Sequence, residues 1–352
     1  MSSTTTSHFC LLFFSIALPA VLSSSPYLSP LTFLPNYQNM VKSFKVFIYT
    51  PPQPLLFSTP AESLFFSSLL NSSFLTPDPE RAHLFFVPFP SGTPTRSISR
   101  LVNAIRNDLP FWNRTLGADH FYVSCDGLGF TADRNLVELK KNSVQISCFP
   151  AQRSMFVPHK DVTLPPRVDP PATHAPANES KNYFGYVKYG AVKESSLVNE
   201  LIDDQDFLVE RQPTDALTYE WRLAVSKFCL FEYGVGDVSG ISDAVRFGCV
   251  PVVITDRPIQ DLPLMDVLRW QELAVFVGWK NKSGGGIKGL RRVLDRTCGD
   301  EKRYEGMRRS CMKAGQHFVW NEEPQPLDAF HMVMYQLWLR RHAIRYARRE
   351  VA

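Results

Sequence analysis

The first 41 residues contain no lysine, arginine, aspartate or glutamate. Within them FCLLFFSIALPAVL, Phe9 to Leu22, is almost unbroken apolar sequence, the mark of a targeting or anchoring segment. That run is shorter than the roughly 20 residues of a full membrane span. The weakly apolar PYLSPLTFL that follows can extend it, so an uncleaved signal anchor and a cleaved signal peptide both stay open, with a buried first helix as the lesser alternative. An anchor or a signal peptide would place the rest of the chain in the secretory lumen, with residues 1–25 as the leader and 26–41 as a short stem.

Other absences narrow the function. The seven cysteines (Cys10, Cys125, Cys148, Cys229, Cys249, Cys298, Cys311) form no CxxC, which argues against a zinc site. No GxSxG elbow is present, which disfavours a luminal α/β hydrolase. A net charge of +4 is too small to call for nucleic acid, and several basic residues (Arg340, Arg341, Arg345, Arg348, Arg349) gather where they would decorate the solvated face of a terminal helix. No internal repeat is visible.

What is present describes a two-part globular chain. At 352 residues it exceeds the length at which one core stops growing, and 44% hydrophobic with 20% charged residues is ordinary for a folded protein. N-glycosylation sequons at Asn71, Asn113, Asn178 and Asn281 agree with a luminal location. Outside the leader six cysteines remain, an even number compatible with disulfides. Cys125 with Cys148 and Cys298 with Cys311 are the nearest pairs, while Cys229 and Cys249 read as small buried hydrophobes in core strands.

Strands and helices alternate along the chain. KSFKVFIYT (residues 42–50) predicts a strand ended by PPQP, SLFFSSLLNSSF a short helix, and Leu84 to Val87 a buried strand. Ser97 to Leu109 predicts a serine-capped amphipathic helix, with Ile98, Leu101, Val102, Ile105 and Leu109 on one face. HFYVSCD supplies a further strand, and the alternation argues for a parallel α/β half over residues 42–163. LPPRVDPPATHAPANES, residues 164–180, has no apolar period and reads as an interdomain linker. The second half (181–322) resumes with a strand in YFGYVKY, a helix in SLVNELI, and then DFLVER.

KFCLFEYGVGDVSGISDAVRFGCVPVVITD, residues 227–256, places a glycine-rich loop between the strands Phe228 to Phe231 and Val250 to Ile254, with a helical stretch from Ile241 to Phe247. Such a crossover unit can point backbone N–H groups at an anion, though the spacing matches neither a Walker nor a Rossmann fingerprint, so a plain turn stays open.

Together with RNDLPFWNRTLGADHFYVSCDGLG, VPHKDVTLPP, DLPLMDVLRWQELAVFV and HFVWNEEPQPLDAFHMVMYQLWLRRH, this segment resembles the plant exostosin-like glycosyltransferases of family 47, in motif order from about Lys45 to His342. The resemblance implies a GT-B fold, two Rossmann-like domains facing across a cleft, with acceptor recognition in the N-terminal one. It implies an inverting transferase, a type II Golgi membrane protein, that moves a sugar from a UDP-sugar to a cell-wall polysaccharide or glycoprotein glycan, in some cases beside partner glycosyltransferases. Residues 323–352 are expected to form a helix packing back on the N-terminal domain.

The chemistry requires a base for the acceptor hydroxyl and stabilisation of the departing diphosphate, which metal-independent members of this fold supply without a cation. Gly234 and Gly236 would let the backbone approach the diphosphate, with Ser239 on the same loop, and Asp243 would accept from ribose hydroxyls. No metal is expected. The Asp-x-Asp within Asp203 to Asp206 reads as a solvated acidic turn.

The donor half departs from the family pattern. The arginine expected two or three residues before Asp243 is missing, with Gly240 near its place, and Glu232 replaces a proline. The arginines expected after the linker are absent from YFGYVKYGAVKESS, which offers Lys188 and Lys193 instead, and a histidine–aspartate pair is replaced by Asp126-Gly127. These changes open a second reading, an impaired family member that binds a glycan or a partner transferase.

His120 and Asp126 are the candidate bases. For Asp119 and His120 the alternative is capping and orienting the strand; for Asp126 it is a turn aspartate before Gly127. Trp112 and Trp320 could stack on sugars or sit in the core, and His159, Lys160 and Asp161 are expected at the mouth of the cleft. Asp328, His331 and Met332 are assigned a structural role on the last helix.

Overall fold

The computed structural model describes residues 25–51, 55–57, 59–129, 131–167, 180–188, 196–210, 212, 214–279 and 286–349. The apolar leader, most of the linker, Lys193, Asn178 and Asn281 lie outside the described residues. Asn71 and Asn113 are exposed.

The N-terminal part runs α1 (Phe33–Ser43), β1 (Val46–Ile48), α2 (Pro60–Leu70), β2 (Leu84–Phe86), α3 (Thr95–Asp108), α4 (Phe111–Thr115), β3 (His120–Val123), α5 (Arg134–Asn142), β4 (Val144–Cys148) and β5 (Val162–Leu164). The five strands pair in parallel in chain order. Both faces of the sheet are covered. Phe85 turns to a cluster with Ile98, Val102, Trp112 and Leu139, whereas its neighbours Leu84 and Phe86 turn to the opposite cluster with Phe65 and Val144, as the period of two requires. The helix expected to open on a serine cap instead starts at Thr95, with Pro94 before it and no side-chain cap.

The C-terminal part runs β6 (Tyr183–Val187), α6 (Ser196–Leu201), β7 (Phe207–Val209), α7 (Ala216–Val225), β8 (Ser226–Glu232), α8 (Ile241–Arg246), β9 (Val250–Ile254), β10 (Val275–Val277), α9 (Ile287–Gly299), α10 (Glu301–Gly315) and α11 (Ala329–Arg349). Its parallel sheet has the order β10-β9-β8-β6-β7. The chain steps outward from β6 to β7, then returns past β6 to lay down β8, β9 and β10. That reversal makes a topological switch point between β6 and β8, where open α/β sheets bind ligands at the carboxyl ends of their strands. Two parallel α/β units in one chain are the GT-B architecture.

Several contacts fasten the two units together. Asp261 accepts from the Ala151 amide at 2.9 Å and from the Tyr233 hydroxyl, and Trp320 donates from Nε1 to the Pro165 carbonyl at 3.0 Å. Arg340 on α11 donates to the carbonyls of Lys160 (2.8 Å) and Asp161 (2.9 Å) and pairs with Asp266. Asp328 opens α11 by accepting from the His331 amide at 2.9 Å, and Phe330 packs on Phe65 and Phe74.

The structure corrects three further expectations. Residues 26–41 are no stem: Tyr27, Phe33, Tyr37 and Met40 are buried, Tyr27 bridges to Leu268, and its hydroxyl lies 2.9 Å from His317 Nε2. Aromatic side chains at helical spacing dock α1 against α11. Cys229 and Cys249 are bonded to each other, joining β8 to the start of β9, and Cys125 is bonded to Cys148 as expected. Cys298 and Cys311 are not paired: Cys298 is half-buried, and the buried Cys311 thiol donates to the Leu273 carbonyl at 3.1 Å.

Candidate active site

The switch point gathers the residues expected from the sequence at a donor site. Lys188 directly follows β6, and Tyr233 to Ser239 directly follow β8, so both segments stand at the carboxyl edge of the sheet. Lys188 Nζ lies 3.8 Å from Asp237 Oδ2 and 4.9 Å from the centre of the Tyr219 ring. Asp237 Oδ1 in turn accepts from the Ser239 amide at 2.9 Å, which fixes the loop. Gly234 has φ +85°, a backbone angle that disfavours any side chain, and the space around it is open. Gly236 has no such angle and leaves room for a Cβ, so its glycine is not required by the loop.

Asp243, on α8, is only 3% exposed. Its Oδ2 accepts from the Tyr219 hydroxyl at 3.2 Å and its Oδ1 from Arg246 Nη1 at 3.4 Å. Burial raises its pKa to about 6, against the lowering effects of Arg246, the Tyr219 hydrogen bond and Lys188. Behind it, the Tyr186 hydroxyl donates to Glu210, which also pairs with Arg222 at 3.4 Å.

Gly240, near the place of the absent arginine, has an ordinary helical φ of −66°. The constraint there is space. A Cβ at that position would stand 2.7 Å from the Tyr219 hydroxyl oxygen. Tyr219 and Asp237 thus join the candidate site, and of the two only Asp237 stood in the quoted loop. Tyr219 meets Gly240 through a contact between α7 and the following unit that no local pattern encodes.

On the N-terminal side the two candidate bases separate. His120 is corrected: it is 0% exposed at the amino end of β3, away from the carboxyl edge. Its Nδ1 lies 2.8 Å from Asp119 Oδ1 and its Nε2 2.8 Å from the Tyr49 hydroxyl, and its ring stacks on Tyr49 and Phe85. Asp119 also accepts from Thr115 and pairs with Arg114 at 3.3 Å, so the pair orients the strand. Asp126 stands at the other end of β3, exposed, on a turn closed by Gly127 N donating to Ser124 O at 3.1 Å. It is thus both a turn residue and a residue of the sheet's carboxyl edge. The turn is anchored by Glu62, whose Oε1 accepts from the Cys125 amide at 3.0 Å.

Other expectations resolve into structure. Trp112 is core and Trp320 spans the two units. His159 is exposed, but Lys160 and Asp161 do not open onto a cleft: Asp161 is 2% exposed and accepts from the amides of Gln145 (3.1 Å) and Val157 (2.8 Å) while pairing with Lys160 and Lys140. Asp204 and Asp206 both pair with Arg291 at the amino end of the second sheet, where the Asp206 carbonyl accepts from the Phe184 amide at 2.9 Å. Among the described residues no three histidine, cysteine or acidic side chains group to hold a metal, and no helix is long and apolar enough to cross a membrane.

The exostosin GT47 domain matches residues 40–283. The chain belongs to the exostosin GT47 glycosyltransferase family. A probable glycosyltransferase of Arabidopsis thaliana is 28% identical over 90% of this chain and 72% of its own length, and a second from the same plant is 28% identical over 87% and 64%. A probable β-1,4-xylosyltransferase, IRX10, also of Arabidopsis thaliana, is 26% identical over 85% of this chain and 79% of its own. WaaG, a solved glycosyltransferase involved in lipopolysaccharide biosynthesis, shares 11% identity over 84% of this chain and 99% of its own, with a TM-score of 0.35. For this GT47 chain the two-domain architecture stands on its strand order, not on so distant a superposition.

Proposed function

We propose that the chain is an inverting glycosyltransferase that takes a UDP-sugar at the β6/β8 crevice and transfers the sugar to a hydroxyl of a cell-wall polysaccharide or glycoprotein glycan in the Golgi lumen. The observation that carries this reading is the convergence of Lys188, the Gly234–Ser239 loop and Asp243 at the switch point. In this reading Asp243 accepts from the ribose hydroxyls. Lys188 and the loop amides take up the diphosphate charge that grows as the bond from the sugar's anomeric carbon to the phosphate oxygen breaks. Asp126 removes the acceptor proton as that oxygen bonds to the anomeric carbon from the opposite face. The reading requires no metal ion.

Titration of the purified chain with UDP and a panel of UDP-sugars tests the donor site; no saturable binding of any would refute it. With a donor and acceptor identified, Asp126→Asn is expected to lower turnover about 10²–10⁴-fold, the range of a general base, while UDP affinity stays within about twofold of wild type. Unchanged turnover would remove Asp126 from the mechanism.

One observation favours a second reading, an impaired family member that binds a glycan or a partner transferase. The Tyr219 hydroxyl fills the space beside Gly240, and Lys188 is already paired with Asp237. Glycan or transferase binding without UDP binding would select it.

A further inference from the structure

A cavity of about 670 Å³ opens at the carboxyl ends of β9 and β10, within the range of about 300–1,000 Å³ of ligand pockets. It lies on the same sheet edge as the donor crevice. Tyr233 N, at the end of β8, donates to Ile254 O at the end of β9 at 2.9 Å, so the two sites share a rim. Strands lie about 4.8 Å apart, which sets the β9/β10 gap roughly 10 Å along the edge from the β6/β8 gap.

The cavity is amphiphilic. Phe276 turns outward from β10 with 41% of its surface exposed, and Met265, 37% exposed, also lines the cavity. Asp256 and Arg257 follow β9 on a turn held by the Arg257 amide donating to Thr255 Oγ1 at 3.1 Å, and Gln271 is exposed on the rim. The floor is fixed: Trp270 is buried, with Nε1 donating to the Pro263 carbonyl at 2.9 Å. The wall at Leu262 is fastened to the N-terminal unit, since its carbonyl accepts from Thr163 at 3.4 Å and its neighbour Asp261 holds the Ala151 amide. An exposed ring beside a carboxylate, a guanidinium and an amide matches a sugar ring, which has C–H faces to lay on Phe276 and hydroxyls to pair at the rim.

We infer that this cavity is a carbohydrate subsite that holds a neutral sugar unit of the acceptor glycan while the reacting hydroxyl stands at the β6/β8 crevice. The inference rests on the transferase reading and gives the C-terminal unit a share in gripping the acceptor, whose recognition the family resemblance places in the N-terminal unit. Asp256 accepts from sugar hydroxyls, Arg257 and Gln271 donate to them, and Phe276 with Met265 supplies the apolar face.

The test uses the full chain with xylo- and cello-oligosaccharides of graded length as probes, and UDP as an independent probe of the donor crevice. Phe276→Ala is a surface change on an edge strand, and Gln271→Trp fills the cavity from its rim. Both are expected to weaken binding of the oligosaccharide that wild type holds by about tenfold, with UDP affinity changed less than about twofold. Oligosaccharide affinity unmoved in both variants, or UDP binding with no oligosaccharide bound at all, would overturn the subsite and leave the donor reading standing. An equal loss of UDP affinity in both variants would make the cavity part of the nucleotide site and also overturn it. Oligosaccharide binding lost in both variants of a chain that binds no UDP would support the subsite and refute the donor reading.

Discussion

Tyr219→Phe removes one hydroxyl and leaves the ring that carries Lys188 at 4.9 Å in place. The hydroxyl donates to Asp243 Oδ2 at 3.2 Å, and Arg246 contacts the other oxygen at 3.4 Å. A hydrogen bond to a charged group contributes about 1.5–3 kcal/mol, and the length of this one places it at about 1.5, which corresponds to roughly one pH unit. Burial already raises the carboxyl to about 6, and the Tyr219 bond works against that rise, so its loss moves the titration to about 7. If the ionised carboxylate accepts from the ribose, affinity for UDP-glucose falls as pH drops through about 6 in the wild type and through about 7 in the variant. Calorimetric titration from about pH 5 to 8 measures this, because the two phosphates of a UDP-sugar are diesters with no proton to exchange in that window. Asp243→Asn is the control and is expected to flatten the profile. The same midpoint in wild type and Tyr219→Phe, or a pH dependence that survives Asp243→Asn, refutes the assignment.

The sign for stability is opposite to that of most carboxylates. Because the folded value of about 6 lies above the unfolded 3.8, the folded state holds this proton more tightly. Its contribution is therefore fully present below about pH 4 and is lost as pH rises through about 6, and keeping the charge at neutral pH costs about 3 kcal/mol. Tyr219→Phe raises that cost by about 1.5 kcal/mol.

Two further outcomes concern the scaffold. Asp161→Asn leaves Lys140 and Lys160 without their shared buried carboxylate and is expected to destabilise the chain by about 3–5 kcal/mol, read from denaturant midpoints; a loss below about 1 kcal/mol would show the network to be dispensable. Arg340→Ala removes donors to the carbonyls of Lys160 and Asp161 and the pair with Asp266, with an expected cost of about 2–3 kcal/mol; thermal unfolding identical to wild type would show that α11 does not fasten the two units through this residue.

Alternation of apolar runs and turns was enough to read two parallel units, because strands buried on both faces leave continuous runs such as LFF and VPVVI. The direction of β3 was equally legible. In GADHFYVSCDG the strand starts at His120 and ends before Asp126, so of the two only Asp126 follows it to the ligand-binding edge. A histidine beside a strand attracts a catalytic reading, but Tyr49 and Asp119 engage both ring nitrogens of His120 and Phe85 stacks on its ring. The α1 period Phe33, Tyr37, Met40 was present but overshadowed by the uncharged leader before it. The Cys229–Cys249 bond was not legible, since parallel neighbours such as β8 and β9 bring together residues whose register no local pattern fixes.

Gly240 and Tyr219 are most informative taken together. Alone, Gly240 reads as a lost arginine, a deletion of charge from a site that must bind a diphosphate. Its helical φ shows that the backbone does not demand glycine there; the tight neighbour is the Tyr219 oxygen, 2.7 Å from where a Cβ would stand. A side chain at Gly240 would require the Tyr219 hydroxyl to move, so the two positions are sterically coupled. On the donor-site reading, the Tyr219 hydroxyl serves Asp243 where the family pattern has a guanidinium nearby, and the charge requirement falls on Lys188, just after β6. Because Lys188 already leans on Asp237 and the Tyr219 ring, a diphosphate entering the crevice competes with an internal carboxylate for its cation. The competition is modest, since the pair is separated by 3.8 Å and both partners are about a third or more exposed, where ion pairs contribute about 0–1 kcal/mol. On the donor-site reading, the missing arginine thus weakens donor binding without closing the site, and the Asp243 hydrogen bonds set how much of that binding the ribose supplies.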